Sequence, residues 1–240
     1  SSITFLFAFF PAVLLVYYIS PRIIRNFILM LFSMLFYAWG EPKYIIIMIV
    51  SILLGYVMGL LIDSSLKNDN RKRAKIYMIV DVVINLGILF FFKYAGFATE
   101  NINRIPGVNL KVLNIALPLG ISFYTFQILS YTVDVYMGKA KVQKNIINLG
   151  AYITLFPQLI AGPIVRYETI EEDFETRKID FDNVSNGLKI FIIGLSKKVL
   201  LANVLGELIN KFVIETVVSS WLKPILYTLQ IYFDFSGYSD

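Results

Sequence analysis

The sequence predicts an all-α, polytopic transmembrane helical bundle with one broken or re-entrant helix and one interfacial amphipathic helix. Three observations carry this. Hydrophobic residues make up 57% of the 240 and charged residues 16%, with a mean hydropathy of +0.68, more apolar surface than a soluble fold of this length buries. Apolar runs recur along most of the chain with no polar linker between them, so a single transmembrane domain over residues 1–240 is expected. Basic residues cluster between the runs, where they orient spans and meet anionic headgroups. That placement explains the formal charge of +5 by membrane lipid rather than by nucleic acid.

The chain contains no cysteine and no histidine. The first absence removes disulfides, thiolate metal sites and a cysteine nucleophile. The second removes the commonest general base and a common metal ligand. Phosphate-binding glycine loops, zinc-ligand spacings and nucleophile elbows are missing as well, so no metal site is expected.

Taken in order, Ile3 to Ile19 is the first expected helix, ended by Ser20 and Pro21. No basic stretch precedes it and no small-residue cleavage motif follows, so it reads as a retained span rather than a signal peptide. Phe27 to Trp39 is the second, closed by Gly40, Glu41 and Pro42. Spanning a core of about 30 Å takes roughly 20 helical residues, so this run must borrow its flanks. Tyr44 to Ile62 is the third. The following loop holds Lys67, Arg71, Lys72, Arg73 and Lys75, whereas the preceding loop holds only Lys43. The dense loop is therefore expected in the cytoplasm; Arg22 and Arg25 fall on the same side, and the amino terminus falls outside.

Ile76 to Phe92 is the fourth span and Leu113 to Val135 a long fifth. Ile146 to Val165 is apolar but interrupted by Gly150, Pro157, Gly162 and Pro163, as suits a broken helix lining a protein cavity. A polar loop near 166–186 follows; its acids, Glu171, Glu172, Asp173 and Glu175, read as a solvated surface and are assigned no chemistry. Ile190 to Leu205 is interrupted by Ser196, Lys197 and Lys198, which fits an interfacial amphipathic helix. These lysines either snorkel to headgroups or bind a phosphate. Leu222 to Tyr232 leads into Asp234, Ser236, Tyr238 and Asp240 with no capping residue or basic flank, which reads as a truncated domain.

Polar residues inside these runs mark the candidate site. Tyr124, Gln127, Tyr131 and Asp134 are spaced by three, four and three residues, so a helix gathers them within a sector of about 80°. Tyr227, Gln230, Asp234 and Tyr238 form a second stripe, and YTLQI at 227–231 nearly repeats YTFQI at 124–128. Polar groups are costly against lipid and face the bundle interior or a wet cavity. Both stripes fit a substrate channel, and both fit glutamines that tie helices together. Asp81, with Asn85 one turn further on, fits either pairing with a nearby lysine or a proton or ion relay.

Four segments in order then resemble a known family. LPLGISFYTFQILSYTVDVYMG at 117–138, FPQLIAGPIVRY at 156–167, GLSKKVLLAN at 194–203 and LQIYFDFSGYSD at 229–240 are similar to the membrane subunit of alginate O-acetyltransferases, within the membrane-bound O-acyltransferases. The resemblance implies an incomplete fold of that family and transfer of an acyl group from a thioester donor such as acetyl-CoA to a hydroxyl on an extracytoplasmic polysaccharide. It also implies a multi-pass protein of the bacterial cytoplasmic membrane and an acceptor-side partner protein. No permanently bound cofactor is expected. The family's catalytic base is a histidine further along the chain; these residues hold none, so the fragment alone is expected to be inactive. The resemblance carries over a channel or substrate lining: Gln127, Asp134, Pro157, Gln158, Gly162, Pro163, Arg166, Asp234 and Tyr238. Gly162 and Pro163 equally fit a role in shaping the broken helix. Two other readings stand beside this one. The first is D-alanyl transfer to teichoic acid by a related protein of the family. The second is a non-enzymatic transporter, which the broken helix and the near-repeat would also suit.

Overall fold

The computed structural model describes residues 3–113, 115–159, 162, 165–176, 180–211 and 216–240. All regular structure among them is helical. They fall into two compact units, the first built from the amino-terminal spans.

Helix α1 (Phe10–Ile19) continues a wide turn at Phe5–Phe9. It packs on α2 (Arg25–Gly40) through an aromatic cluster in which Phe9 lies 5.4 Å from Phe36 and 5.5 Å from Phe156, ring centre to ring centre. Helices α3 (Ile45–Lys67) and α4 (Arg71–Ile102) follow. Segments Arg22–Gly40, Ile45–Lys67 and Arg71–Ile102 are each long and apolar enough to cross a membrane, which makes this a membrane protein. Most of their apolar side chains face outward, among them Leu35, Val50, Leu53 and Val83, where lipid is the natural solvent. At 32 residues α4 runs about 48 Å and overshoots a hydrocarbon core of about 30 Å. Its excess length carries Arg71, Lys72, Arg73 and Lys75, so the basic residues expected in a loop form the helix's first turn and a little more. Asp69 at φ 54° makes the turn from α3, and Asn70 caps α4 by accepting from the Arg73 N–H at 3.0 Å.

The fifth expected span is shorter than its apolar run. Residues 108–113 and 115–118 have no regular structure, and α5 (Ile121–Met137) starts only after Pro118 and Gly120, because proline disfavours helix in the residue before it. Gly120 at φ 72° is also required sterically: a Cβ there would lie 2.8 Å from the Leu159 carbonyl oxygen. α5 is the axis of the unit, packing on α3, α4, α6 (Ile146–Thr154) and α8 (Tyr167–Thr176).

Close approach of α3 to α5 depends on small residues. Ser51, Gly55, Gly59 and Ser65 are all buried on one face of α3. A Cβ at Gly55 would stand 2.6 Å from Ile128 Cγ2, and one at Gly59 would stand 2.8 Å from the Tyr131 hydroxyl. This Gly-x-x-x-Gly spacing lets two backbones approach where no hydrophobic effect drives helices together in lipid.

The broken helix is present, with its break at Leu155, between α6 and the single turn α7 (Phe156–Leu159). Gly150 does not interrupt α6; it packs against Met30 of α2. Pro157 sits in the first turn of α7, where its missing N–H costs nothing. The loop expected near 166–186 is a correction: its first part folds as α8, whose apolar face includes Tyr167 and Ile170 packed on the core, while Glu168 stays exposed.

In the second unit, α9 (Phe181–Ser196) runs through a wide turn at Lys197–Ala202 into α10 (Asn203–Lys211). The stretch Ile190 to Leu205 is therefore helical throughout. Helix α11 (Val217–Ser239) opens with a reciprocal Thr216 and Ser219 cap and contains Pro224. It crosses α9 at two glycines, Gly194 and Gly237, each so close that an added Cβ would meet the other's carbonyl oxygen, at 2.5 and 2.6 Å.

Candidate functional site

Helix α5 brings the first polar stripe into the interior as the spacing predicts. Tyr124, Gln127, Tyr131 and Asp134 are 0, 1, 0 and 5% exposed. Their partners differ. The Tyr131 hydroxyl accepts from the Gln143 N–H at 3.0 Å. Gln143 donates through Nε2 to the Tyr167 hydroxyl at 2.8 Å. The Tyr167 ring lies edge-on to Tyr131 and Tyr152, with centres 5.1 and 5.3 Å away. Tyr152 donates to the Val165 carbonyl at 2.7 Å, and the Tyr152 carbonyl accepts from Gln158 Nε2 at 2.9 Å. One network thus joins α5, the 138–145 connection, α6, α7 and α8, and it includes Gln158 from the predicted set. Asp134 accepts from Ser130 Oγ at 3.3 Å.

Four other buried polar atoms lack a protein partner among the described residues: the hydroxyls of Tyr37 and Tyr124, the Gln127 Oε1 and the Asn85 Oδ1. An unpartnered buried polar atom costs roughly 1–3 kcal/mol. Gln127 and Tyr124 lie one helical turn apart on α5. Their unused capacity suits water or a polar substrate group.

Asp81 is fully buried on α4, and its partners correct the lysine pairing considered from sequence. Thr132 Oγ1 of α5 donates to Asp81 Oδ2 at 2.9 Å, and Asn85 Nδ2 donates to Oδ1 at 2.9 Å. Among the described residues no lysine or arginine pairs with it.

Of the remaining predicted residues in the first unit, Pro157 is exposed on α7 and Arg166 is exposed at the start of α8. The Arg166 carbonyl accepts from Thr169 Oγ1 at 2.8 Å. Gly162, which groups with the second unit, is buried, and Pro163 lies outside the described residues.

The second stripe, in the other unit, is less buried. Tyr227 and Tyr238 are 57 and 42% exposed. Asp234 is half-buried and pairs with Lys198 at 2.5 Å, and Lys197 reaches Asp240 at 2.5 Å and Ser236 Oγ at 3.0 Å. Both lysines therefore tie the wide turn to α11. Gln230 packs against Gly206, where a Cβ would sit 2.9 Å from its Nε2. Here the helix-tying reading of the stripe gains ground.

Sequence reasoning passes over Gln143, Tyr152, Tyr167 and Thr132. Gln143 lies outside any helix, Tyr152 and Tyr167 sit on elements without a polar stripe, and Thr132 is on the opposite side of α5 from Gln127.

The chain aligns along its whole length with a probable alginate O-acetylase of Pseudomonas aeruginosa, 38% identical over 247 residues and covering 47% of that protein. It is 30% identical over 272 residues to a peptidoglycan O-acetyltransferase of Helicobacter pylori, taking in 98% of the chain and 51% of that protein. Half of the chain, over 132 residues, is 28% identical to a teichoic acid D-alanyltransferase of Bacillus subtilis, covering 32% of it. No family model and no solved structure matches. The chain spans about half the length of the first of these relatives. Four motifs in family order, an all-helical membrane fold and a match along the whole chain agree: the chain is homologous to about half the length of proteins of the membrane-bound O-acyltransferase family.

Proposed function

We propose that this chain is the channel-forming part of a membrane-bound O-acetyltransferase. The whole protein passes an acetyl group from a cytoplasmic thioester donor, acetyl-CoA by resemblance, to a hydroxyl of an extracytoplasmic polysaccharide such as alginate. It is a multi-pass protein of the bacterial cytoplasmic membrane and works with an acceptor-side partner protein. The observation that carries the reading is the whole-chain match to a probable alginate O-acetylase. The unpartnered Tyr124 and Gln127 atoms in the core support a polar lining there. Gln127, Asp134 and Gln158 belong to that lining, with Pro157 shaping it and Arg166 a further candidate in the same unit; Gly162, Pro163, Asp234 and Tyr238 remain candidates by resemblance alone.

Acyl transfer needs a base to take the acceptor's hydroxyl proton as the carbonyl is attacked, and donors to steady the resulting oxyanion. These 240 residues hold no histidine, so we place the base elsewhere in the whole protein. What the residues described here supply is orientation and exclusion of water.

The test compares base-releasable acetate on the envelope polysaccharides of cells with and without the full-length gene. Loss of acetate from a polysaccharide on deletion, restored by the wild-type gene, is expected. Unchanged acetate with loss of D-alanine esters from teichoic acid would transfer the reading to the D-alanyl branch. In the same cells Gln127→Leu is expected to lower acetylation on the order of tenfold at equal protein level, the equivalent of one buried hydrogen bond. Wild-type acetylation by that variant would remove Gln127 from the lining without touching the enzyme assignment.

A further inference from the structure

We propose that the pocket between the last turn of α3 and the first turns of α4 binds the phosphate of an anionic phospholipid headgroup. The pocket encloses ≈ 150 Å³. Ser64, Asn68, Asn70 and Arg73 line its end at the turn, and Leu61 and Tyr77 line the end further into the helices. Arg73 Nε donates to the Tyr77 hydroxyl at 2.8 Å, which holds the guanidinium at the pocket wall. An arginine has five N–H donors in a planar fork suited to phosphate oxygens.

The charge around the pocket is unbalanced. Arg71, Lys72, Arg73 and Lys75 fall within five residues, and among the described residues none of them forms an ion pair. Of the two acids nearby, Asp63 is taken by Lys67 at 2.5 Å, and Asp69 in the turn offsets one of the four charges, leaving a positive excess. Three of the four, Arg71, Lys72 and Arg73, also sit in the first turn of α4, where the partial positive charge of a helix N-terminus favours anions and repels cations. The chain gathers positive charge where its own backbone opposes it, which an external anion relieves.

Lipid is favoured over a soluble anion by what adjoins the pocket. Val57 and Leu61 on α3 and Ile76 and Val80 on α4 are exposed, from 37 to 59%, and extend from it along the spans. A phospholipid matches both parts, with phosphate at the turn and acyl chains along these residues. A free phosphate leaves the apolar part uncovered.

The test incubates the detergent-purified protein with equal amounts of phosphatidylglycerol and phosphatidylcholine and reads the retained lipid by native mass spectrometry. Preferential retention of phosphatidylglycerol, abolished by Arg73→Gln and kept by Lys72→Gln, which lies outside the pocket, is expected. Arg73 is exposed, and unchanged helix content by circular dichroism checks that the variant folds. Retained preference in Arg73→Gln, or equal loss in both variants, would overturn the proposal, the latter by assigning binding to a diffuse basic surface. A last arm adds inorganic phosphate alone to delipidated protein. Thermal stabilisation that depends on Arg73, without any phosphatidylglycerol preference, would assign the pocket to a soluble anion and overturn the lipid.

Discussion

Asp81 shows how a single carboxyl is kept inside an apolar helix. Its two oxygens are held by Thr132 and Asn85, and the Thr132 bond also ties α4 to α5 in a setting where van der Waals packing and polar contacts hold helices together. Both donors have a fallback: Thr132 reaches the Leu129 carbonyl at 3.2 Å, and Asn85 reaches the Asp81 carbonyl at 3.0 Å. Removing the carboxyl therefore strands no donor outright, and the cost is that of lost bonds, roughly 0.5–1.5 kcal/mol each. Asp81→Leu is expected to destabilise by about 1–2 kcal/mol in thermal unfolding in detergent, and Asp81→Asn by less, since an amide keeps an acceptor for Thr132. Equal stability of all three proteins would show that packing alone holds α4 on α5. From sequence, the buried acid is legible because the run around it is apolar. Its partner is not, because Thr132 lies 51 residues away and nothing local marks it.

Helix existence and type are legible here because apolar runs bounded by glycine, proline and charge have few alternatives in a membrane. Boundaries are less so. α4 extends through Arg71 to Lys75, which read as loop by charge although lysine and arginine are good helix formers. α8 reads as loop by its acids, yet Tyr167 and Ile170 give it an apolar face. That α3 packs closely on some other helix was open to reading from Gly55 and Gly59, whose spacing is a packing signal; that the helix is α5 was not. That contact yields a prediction at this scale. Gly55→Ala drives a methyl into Ile128 Cγ2, and overpacking of this kind costs about 1–3 kcal/mol. Ile128→Ala removes the clashing atoms while leaving a cavity of its own. The double variant should therefore be more stable than the sum of the single losses predicts, by at least about 0.5 kcal/mol, a coupling expected of residues in contact. Strict additivity in the measured unfolding energies would mean that α3 and α5 do not meet at this point.

For the whole molecule the open question is direction across the membrane. The three long spans fix an alternation: the turn between α2 and α3 and the turn between α3 and α4 must lie on opposite sides if each helix crosses once. Charge decides which is which, since Arg71, Lys72, Arg73 and Lys75 crowd one turn while Lys43 stands alone among basic residues in the other. The phospholipid pocket adds weight only on the side where anionic lipid gives the surface its negative potential. The absence of cysteine makes the question directly measurable, because any introduced thiol is the only one among these residues. With a membrane-impermeant maleimide on intact spheroplasts, Lys43→Cys is expected to react and Asp69→Cys to stay unlabelled until the membrane is opened. The reverse pattern would invert the protein and place the basic turn, with its pocket, outside. Labelling of both thiols before lysis would mean that α3 does not cross at all, and the alternation on which the proposed route from cytoplasmic donor to external acceptor depends would fail with it.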